Sequence, residues 1–409
     1  MAKKKTTLDA SEELYAEIAS ETDGDVLGAM EAVRYFIDTG SLAVNYVCSG
    51  KFIKGGIPAG KITEVYGPSS SGKSLLASNI LYGCQKLGGW PIILDCENAT
   101  NTEFMAKTSH LNLNKVLRYT PLSLETAFLK IHNVVRKIRS KVPNEVPIVV
   151  VYDSISVSPC DRELKETQLP DNYKPTDWKK IVGRKEQPGE RAKVCASELR
   201  KLQAVLEQDN VTIMVINQTR EKIGVLYGNP ETTGGGGNSL PFYASCRLRT
   251  ATRMKIENKR LKMFAGVNMQ VKNVKNRSFR PFVESSGVQL YFDTGVNPLS
   301  GLLSCFIQGE RVVPTGKGMF AVTKAYLPEG REEYKFRGSL DRNDVPMALL
   351  LDCPKLIDAE TTEEVQTYMD AFGDAIRNSG SEDFAEMQVA FDADGNPLDV
   401  DEETAESEE

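Results

Sequence analysis

The sequence is poor in the residues that form zinc sites and disulfide frameworks. Its 409 residues include only two histidines, and the eight cysteines are scattered with no Cys-x-x-Cys pair. Reduced thiols in a cytoplasmic compartment fit this pattern best. No apolar run reaches the length of a membrane-spanning helix, and Met-Ala-Lys-Lys-Lys leads into a polar helix rather than a signal-peptide core. The sequence therefore predicts a cytoplasmic protein with no membrane partner.

The chain as a whole is not basic either. Its formal net charge is -6 at pH 7, with 56 Asp and Glu residues against 50 Lys and Arg residues. Contact with nucleic acid would therefore need a local basic patch. The length allows one to three domains around a large buried core.

One stretch joins a predicted strand, a glycine-rich loop and a predicted helix. Residues 61–66 form a short β-branched run, and apolar residues at helical spacing occupy 75–87. The loop fits G-x-x-x-x-G-K-[ST], the P-loop pattern, which cradles phosphate oxygens with backbone N–H groups. The candidate nucleotide-binding residues are Gly67, Pro68, Ser69, Ser70, Ser71, Gly72, Lys73, Ser74 and Leu75.

Two side chains of this loop have predicted roles. In a P-loop the lysine reaches the β- and γ-phosphates of ATP, and the hydroxyl that follows it binds Mg²⁺. We therefore expect Lys73 to bind phosphate and Ser74 to bind the metal. The alternative is a glycine-rich turn that joins a strand to a helix and binds nothing.

Around the loop the sequence predicts an α/β fold. From residue 29 to about residue 292, β-rich runs alternate with helical segments, which is typical of a mostly parallel sheet with covering helices. Three of these runs, 91–94, 147–152 and 211–216, are followed by polar residues. Because ligands bind beyond the carboxyl ends of such strands, these residues are expected at the same edge as the P-loop.

The strand-end residues suit the chemistry of ATP hydrolysis. Asp153 is the expected Mg²⁺-holding carboxylate, Glu97 is placed to activate the attacking water, and Gln218 is a neutral side chain that can sense the γ-phosphate. Taken singly, a polar residue at a strand end is more often a turn former. Their combination with a P-loop is what favours a nucleotide site.

A second segment, Thr219–Asn238, follows directly after Gln218 and predicts a polymer-binding loop. Four successive glycines do not hold one conformation without a ligand. Arg220 and Lys222 supply cations, and Ile223 supplies a surface beside which bases can insert. The alternative is a plain flexible linker.

The region between Pro159 and Gly189 has no periodicity and is predicted to be a long mobile excursion. Trp178 lies among four cations there, which suits base stacking as well as a solvated loop. A helix is predicted over Glu190–Glu207, with Lys193 and Arg200 on one face.

Further along, the chain between Cys246 and Arg280 is strongly basic. Many of its cations are expected on solvated strand faces. Lys275 and Arg277, however, end a β run two residues apart and so share a face. Such a pair can reach a phosphate of a neighbouring subunit, as arginine fingers do.

The ends of the chain differ in character from its centre. Leu14, Tyr15 and Ile18 form one apolar stripe of a leading helix, which packs either on its own domain or on a neighbour. The last residues are acidic and predicted to be disordered, as a solubilising or an autoinhibitory tail. We predict the following parts: a leading helix and linker over 1–28, the ATPase core over 29–296, a small α+β domain over 297–391, and the tail over 392–409.

Several motifs together resemble one family. They are Ile37-Asp38-Thr39-Gly40-Ser41-Leu42, Gly55-Gly56-Ile57-Pro58-Ala59-Gly60-Lys61, the loop GPSSSGKS, Asp95-Cys96-Glu97, and INQTREKIGVLYGNPETTGGGGNSLPFYAS over residues 216–245. In this order, from about residue 37 to residue 292, the chain resembles the bacterial RecA recombinase family. Other ATPases of that fold share the P-loop but not the last of these segments.

The resemblance implies an ATP- and Mg²⁺-dependent protein that forms a helical filament on single-stranded DNA, searches homologous duplex DNA and exchanges strands. A single-strand-binding protein and a loader are further candidate partners. It implies catalytic roles for Lys73, Glu97, Gln218, Lys275 and Arg277, adenine stacking by Phe104, an interface role for Phe242, and docking of the leading helix on a neighbour. The implied DNA contacts are Lys193, Arg200, Arg220, Lys222, Ile223, Thr232, Gly235, Gly236 and Asn238.

The sequence also departs from the family. The segment between Asp153 and Glu190 is longer than in bacterial RecA, the glycine run has one extra residue, and the chain after Asn297 resembles the diverged tails of phage-encoded relatives. Two alternatives remain open at this point. One is a ring-forming helicase of the same fold, although no separate N-terminal domain is expected before the core. The other is a nucleotide-gated assembly protein with no role on DNA.

Overall fold

The computed structural model describes residues 14–15, 17–22, 33–98, 101–167, 189–206, 208–221, 231–233, 237–258, 262–340 and 343–366. Two compact units are distinguished, Met1–Arg34 and Tyr35–Glu409. In the first unit, residues 14–15 and 17–21 are helical, as predicted. No described helix is both long enough and apolar enough to cross a membrane.

A large mixed sheet forms the centre of the second unit. A small antiparallel pair, β1 (Phe36–Ile37) with β2 (Ile57–Pro58), precedes it. The parallel part of the large sheet consists of β3 (Ile62–Gly67), β4 (Trp90–Asp95), β5 (Leu117–Tyr119), β6 (Ile148–Asp153) and β7 (Val211–Glu221). The predicted α/β fold with a mostly parallel sheet is confirmed.

Antiparallel strands extend this sheet on one side. β8 (Glu231–Thr233) pairs with β7 in antiparallel orientation. β9 (Cys246–Asn258) is still parallel to its neighbour β3 and connects the parallel part to the antiparallel part. Beyond β9 follow three antiparallel strands: β10 (Met263–Asn276), β11 (Glu284–Tyr291) and β12 (Gly295–Val296). Within the described residues the sheet has 10 strands, in the order β12-β11-β10-β9-β3-β7-β6-β4-β5 with β8 beside β7.

Helices cover both faces of the sheet, which is why its strands are apolar on both sides. In β6, Val149 and Val151 contribute to the core on one face, and Ile148 and Val150 contribute to the core on the other. The described helices of this unit include α1 (Leu42–Ser49), α2 (Lys73–Lys86), α3 (Thr102–Ser109), α4 (Leu124–Arg139), α5 (Asp161–Thr167), α6 (Glu190–Leu206), α7 (Ser239–Tyr243), α8 (Leu302–Gln308) and α9 (Met347–Asp352).

The prediction of an irregular segment from Pro159 was wrong at its beginning, because α5 starts at Asp161. The Glu163 carboxylate accepts a hydrogen bond from the backbone N–H of Cys160 at 2.8 Å. This is half of a capping box, which stabilises the first turn of a helix too short to show apolar periodicity. Residues 168–188, including Trp178, lie outside the described part.

The chain after residue 297 packs on the same core. Leu302 and Phe306 of α8 belong to one apolar cluster with Val65 of β3. The predicted hairpin is present as β13 (Val312–Gly316) and β14 (Met319–Val322), and an unpredicted strand, β15 (Lys335–Arg337), completes a 3-stranded sheet.

Candidate active site

The P-loop lies between β3 and α2, as the sequence predicts. Gly72 precedes α2 with φ 85°, in the left-handed region that glycine adopts without strain. At Gly67, a Cβ atom would lie 2.2 Å from the Thr250 carbonyl oxygen. The loop therefore needs glycine at both positions, for different reasons: backbone conformation at Gly72 and close approach of β9 at Gly67.

Lys73 folds back onto the loop. Its ammonium donates hydrogen bonds to the carbonyl oxygens of Gly67, at 3.0 Å, and of Pro68. Burial lowers the pKa of Lys73, while the nearby charges of Asp153 and Glu97 act to raise it. The positive charge is thus concentrated inside the loop, where acceptor oxygens surround it.

Ser74 and Asp153 face each other across the site. Asp153 ends β6, and its Oδ2 accepts a hydrogen bond from the Ser74 hydroxyl at 3.2 Å. The pKa of Asp153 is raised to about 6, mainly by burial and then by the charge of Glu97, while the Ser74 hydrogen bond opposes the shift. A hydroxyl and a carboxylate are the hard oxygen donors that Mg²⁺ prefers, so this pair fits a magnesium ion.

Glu97, two residues after β4, contacts Gln218, which lies three residues before the end of β7. The Gln218 amide donates to Glu97 Oε1 at 3.2 Å, and the Ser154 hydroxyl donates to the same oxygen at 2.6 Å. Ser154 also lies 2.8 Å from the Ser156 hydroxyl. These contacts orient an otherwise exposed carboxylate.

Two residues of this site were missed from the sequence. Ser154 follows Asp153 directly, so its place at a strand end was the signal that could have found it. Arg118 donates to Asp95 Oδ2 at 2.7 Å and to Asn98 Oδ1 at 2.8 Å, from the neighbouring strand β5. Because Asp95 and Asn98 flank the loop that carries Glu97, Arg118 fixes that loop.

Phe104 lies on α3 beside this constellation. The helix begins after Asn101, whose side chain accepts a hydrogen bond from the Phe104 backbone N–H at 2.9 Å. Phe104 lines one cavity together with Ser74, Glu97 and Asp153, and the residue is 37% exposed. An aromatic surface is therefore available next to the P-loop.

The two cations predicted to act on a neighbour lie together. Lys275 donates hydrogen bonds to the carbonyl oxygens of Pro241, at 2.7 Å, and Phe242, at 2.8 Å. Arg277 donates to the same Phe242 oxygen at 3.3 Å. Phe242 is 67% exposed.

This cation pair lies at the edge of the sheet formed by the amino ends of the parallel strands, whereas the P-loop lies at their carboxyl ends. The Arg277 backbone N–H bonds to the Ser245 carbonyl, and the Ser245 N–H bonds to the Ile62 carbonyl. Ile62 begins β3, whereas Gly67 ends it. At a rise of about 3.3 Å per residue, these two ends are roughly 16 Å apart. Lys275 and Arg277 are therefore not placed to serve the P-loop of their own subunit.

The predicted DNA-binding residues are distributed over three elements. Lys193 and Arg200 are exposed on α6, and Asn238 is exposed immediately before α7. Arg220 and Thr232 are register partners in β7 and β8. Lys222, Ile223, Gly235 and Gly236 lie outside the described residues.

Comparison with known proteins places this arrangement in a family. Residues 26–297 match the family model described as the RecA N-terminal domain. The chain is 32% identical over 299 residues to Protein RecA of Caulobacter sp. (strain K31), covering 73% of this chain and 75% of the relative. It is 32% identical over 311 residues to Protein RecA of Thermus aquaticus, covering 75% and 82%, and 31% identical over 330 residues to that of Chlorobium limicola, covering 80% and 84%. The chain therefore belongs to the RecA family.

Proposed function

We propose that this protein is a cytoplasmic, ATP-dependent recombinase. It forms a helical filament on single-stranded DNA, searches duplex DNA for homology and exchanges strands, with ATP hydrolysis stimulated by DNA. Family membership supports this proposal. The observation that carries it is the position of Lys275 and Arg277 at the amino ends of the parallel strands, opposite the P-loop. Cations at that position can reach a nucleotide only on another subunit.

The P-loop side binds ATP and Mg²⁺. Lys73 exchanges its carbonyl acceptors in the loop for phosphate oxygens, and Phe104 stacks on the adenine ring. Ser74 and Asp153 hold the metal through their oxygens. When bound, Mg²⁺ neutralises charge that develops on the phosphates during transfer. The backbone N–H groups of the loop and the start of α2 favour the anionic end of the ligand.

Glu97 acts as the base that accepts a proton from the attacking water. Its Oε1 accepts hydrogen bonds from Ser154 and Gln218, and these fix the plane of the carboxylate. A fixed orientation lowers the entropic cost of aligning water with the γ-phosphate. Gln218 senses that phosphate, because its amide lies between the carboxylate and the start of the polymer-binding segment.

Assembly follows from a nucleotide shared between subunits. One subunit supplies the P-loop, and its neighbour supplies Lys275 and Arg277 with Phe242 beside them. A ligand that contacts both subunits stabilises the assembled state by mass action. Hydrolysis removes the contacts to the γ-phosphate and weakens the same interface, which releases the DNA product.

Single-stranded DNA binds along the segment that begins at Arg220. β7 and β8 hold Arg220 opposite Thr232, so the sheet keeps two positions of this segment close together. Gln218, two residues before Arg220, sets the order of this segment. Lys193 and Arg200 on α6 add contacts to the phosphate backbone. Strand exchange replaces one duplex by another of similar stability, so the protein's part is to hold and align the strands.

A strand-exchange assay tests this proposal. A labelled single strand is incubated with homologous or heterologous duplex, with ATP or ADP, and the transferred strand is counted. We expect transfer only with homologous duplex and ATP. Equal transfer with heterologous duplex, or none under any condition while the protein hydrolyses ATP, would overturn the proposed recombinase function.

A further inference from the structure

Glu64 is a buried carboxylate that takes no part in the site described above. It lies in the middle of β3, three residues before Gly67, and is 0% exposed. A carboxylate in such a position is costly unless it is paired and hydrogen-bonded. Its partners therefore determine what it can do.

Each oxygen of Glu64 binds a different neighbouring strand. Oε1 accepts a hydrogen bond from the Asn217 amide of β7 at 3.0 Å. Oε2 accepts from Arg247 Nε of β9, and the Arg247 guanidinium lies 4.9 Å from the centre of the Tyr66 ring. Because β3 lies between β7 and β9, one carboxylate joins both strands. We call Glu64, Asn217 and Arg247 the Glu64 cluster.

On the β7 side, the Glu64 cluster reaches the γ-phosphate sensor. Asn217 Oδ1 accepts a hydrogen bond from the Gln218 backbone N–H at 3.0 Å. The Gln218 side chain in turn donates to Glu97. The Asn217 side chain is therefore fixed at one end by Glu64 and fixes the backbone of the sensor at the other.

On the β9 side, the cluster reaches the cations at the opposite edge. Arg247 is the register partner of Lys275 in β10. The pKa of Lys275 is lowered by burial and then by the positive charges of Arg277 and Arg247, while the charge of Glu64 acts to raise it. Glu64 thus places a negative charge beside three cations that repel one another.

We propose that Glu64 is a positioning residue that couples the nucleotide sensor of its own subunit to the cation pair presented to the neighbour. The inference rests on the proposed function. When Gln218 moves to contact the γ-phosphate, Asn217 shifts with it and the Glu64 carboxylate follows. The ion pair with Arg247 then changes the placement of Lys275 beside Phe242. Buried charged hydrogen bonds suit this role, since the low local dielectric makes each of them strong.

Glu64→Gln tests the coupling, because it keeps the shape and the acceptor for Asn217 but removes the charge that binds Arg247. Thr63→Val is the matched control. It lies on the same strand with its side chain on the opposite face, and the Thr63 hydroxyl is buried without a hydrogen-bond partner. The readout is the dissociation constant for an oligo-dT strand measured with ADP, divided by the dissociation constant measured with a non-hydrolysable ATP analogue.

We expect Glu64→Gln to reduce this ratio by about tenfold, a typical size for coupling between sites. The affinity of dilute protein for a fluorescent ATP analogue should stay within about twofold, because Glu64 does not touch the nucleotide site. Thr63→Val should match the wild type in both measurements. An unchanged ratio with a lowered melting temperature would assign Glu64 a structural role only and overturn the inference.

A double-mutant cycle locates the effect. If Glu64 acts through Lys275, then adding Glu64→Gln to Lys275→Ala should change the ratio by less than about twofold, and full additivity contradicts this route.

Should Glu64→Gln fail to fold, the variant Glu64→Gln/Arg247→Met leaves no charge buried alone and gives the same readout. If the wild type binds oligo-dT equally well with ADP and with the ATP analogue, the proposed function is overturned as well. If the wild type binds more tightly with the analogue and Glu64→Gln keeps the same ratio, only the inference is overturned.

Discussion

The side-chain amide of Gln218 donates a hydrogen bond to Glu97 Oε1 at 3.2 Å. This contact joins β7 to the loop that follows β4, two strands that are separated in the sheet by β6. It places the candidate base for hydrolysis against the candidate γ-phosphate sensor, as the proposed function requires.

Replacing Glu97 with Gln should separate binding from chemistry. We expect ATP and single-stranded DNA to bind normally, while DNA-stimulated hydrolysis falls by about 10²- to 10⁴-fold, the usual contribution of a general base. Steady-state turnover and nucleotide titration measure the two effects. Glu145→Gln, at an exposed carboxylate in the turn before β6, serves as the control and should keep full turnover. Normal turnover in Glu97→Gln would remove this residue from its catalytic role.

Ser154→Ala should slow hydrolysis through Glu97 alone. The Ser154 hydroxyl donates to Glu97 at 2.6 Å, and its loss leaves the carboxylate less firmly oriented. We expect turnover to fall by about 10- to 100-fold with ATP affinity unchanged, since the loss of one hydrogen bond to a charged group costs about 1.5–3 kcal/mol. In a Glu97→Gln background the same substitution should have little further effect. Additive losses in the double variant would contradict this explanation.

Lys275→Ala/Arg277→Ala should fold, bind ATP as a dilute monomer and fail to assemble with ATP. Light scattering and electron microscopy with single-stranded DNA measure assembly. The control is Lys335→Ala/Arg337→Ala, a pair with the same two-residue spacing on β15, which should assemble normally. Helical filaments in the wild type, rather than closed rings, are also expected.

Mixing two inactive variants tests action between subunits directly. We expect Lys73→Ala to lose nucleotide-dependent activity while it still presents Lys275 and Arg277, whereas the double variant at those positions keeps an intact P-loop. We expect each protein alone to be inactive and the mixture to regain part of the DNA-stimulated ATPase, because active interfaces form only between unlike subunits. Absence of recovery, with both proteins folded and present in one filament, would contradict catalysis in trans.

Asp153→Asn should stabilise the protein when nucleotide and Mg²⁺ are absent, in a pH-dependent way. The folded-state pKa of Asp153 is raised from 3.8 to about 6, mainly by burial. A raised pKa means that the carboxyl stabilises the fold when protonated, and that this contribution is lost as pH rises through about 6. At pH 7 to 8 the substitution removes a cost on the order of 3 kcal/mol.

Thermal unfolding across pH measures this effect. The melting temperature of Asp153→Asn should exceed that of the wild type at pH 8, and the difference should shrink as pH falls toward about 4. Asp293→Asn, at an exposed ion pair with Lys107, is the control and should show little difference at any pH. A constant difference from pH 8 to pH 4 would show that the charge of Asp153 is not the cause.

Much of the site could be predicted because its signals are local. The P-loop needs consecutive residues to form one turn, and Asp153, Glu97 and Gln218 each end a recognisable apolar run. Arg118 could not be found in this way, because its contact with Asp95 depends on the pairing of β4 with β5. The helix α5 was missed because its stabilising contact is a single cap rather than a repeating apolar pattern.

The sequence alone determined that the chain contains a P-loop, apolar strands that end in acidic and amide residues, and a motif order found in one family. These features depend on residues near one another in the chain, where backbone conformation and hydrophobic period are decided. The tertiary structure alone decided that Lys275 and Arg277 lie at the edge opposite the P-loop, and that Glu64 joins β7 to β9. Strand register and sheet order set those distances, and they result from the packing of segments that are far apart in the sequence.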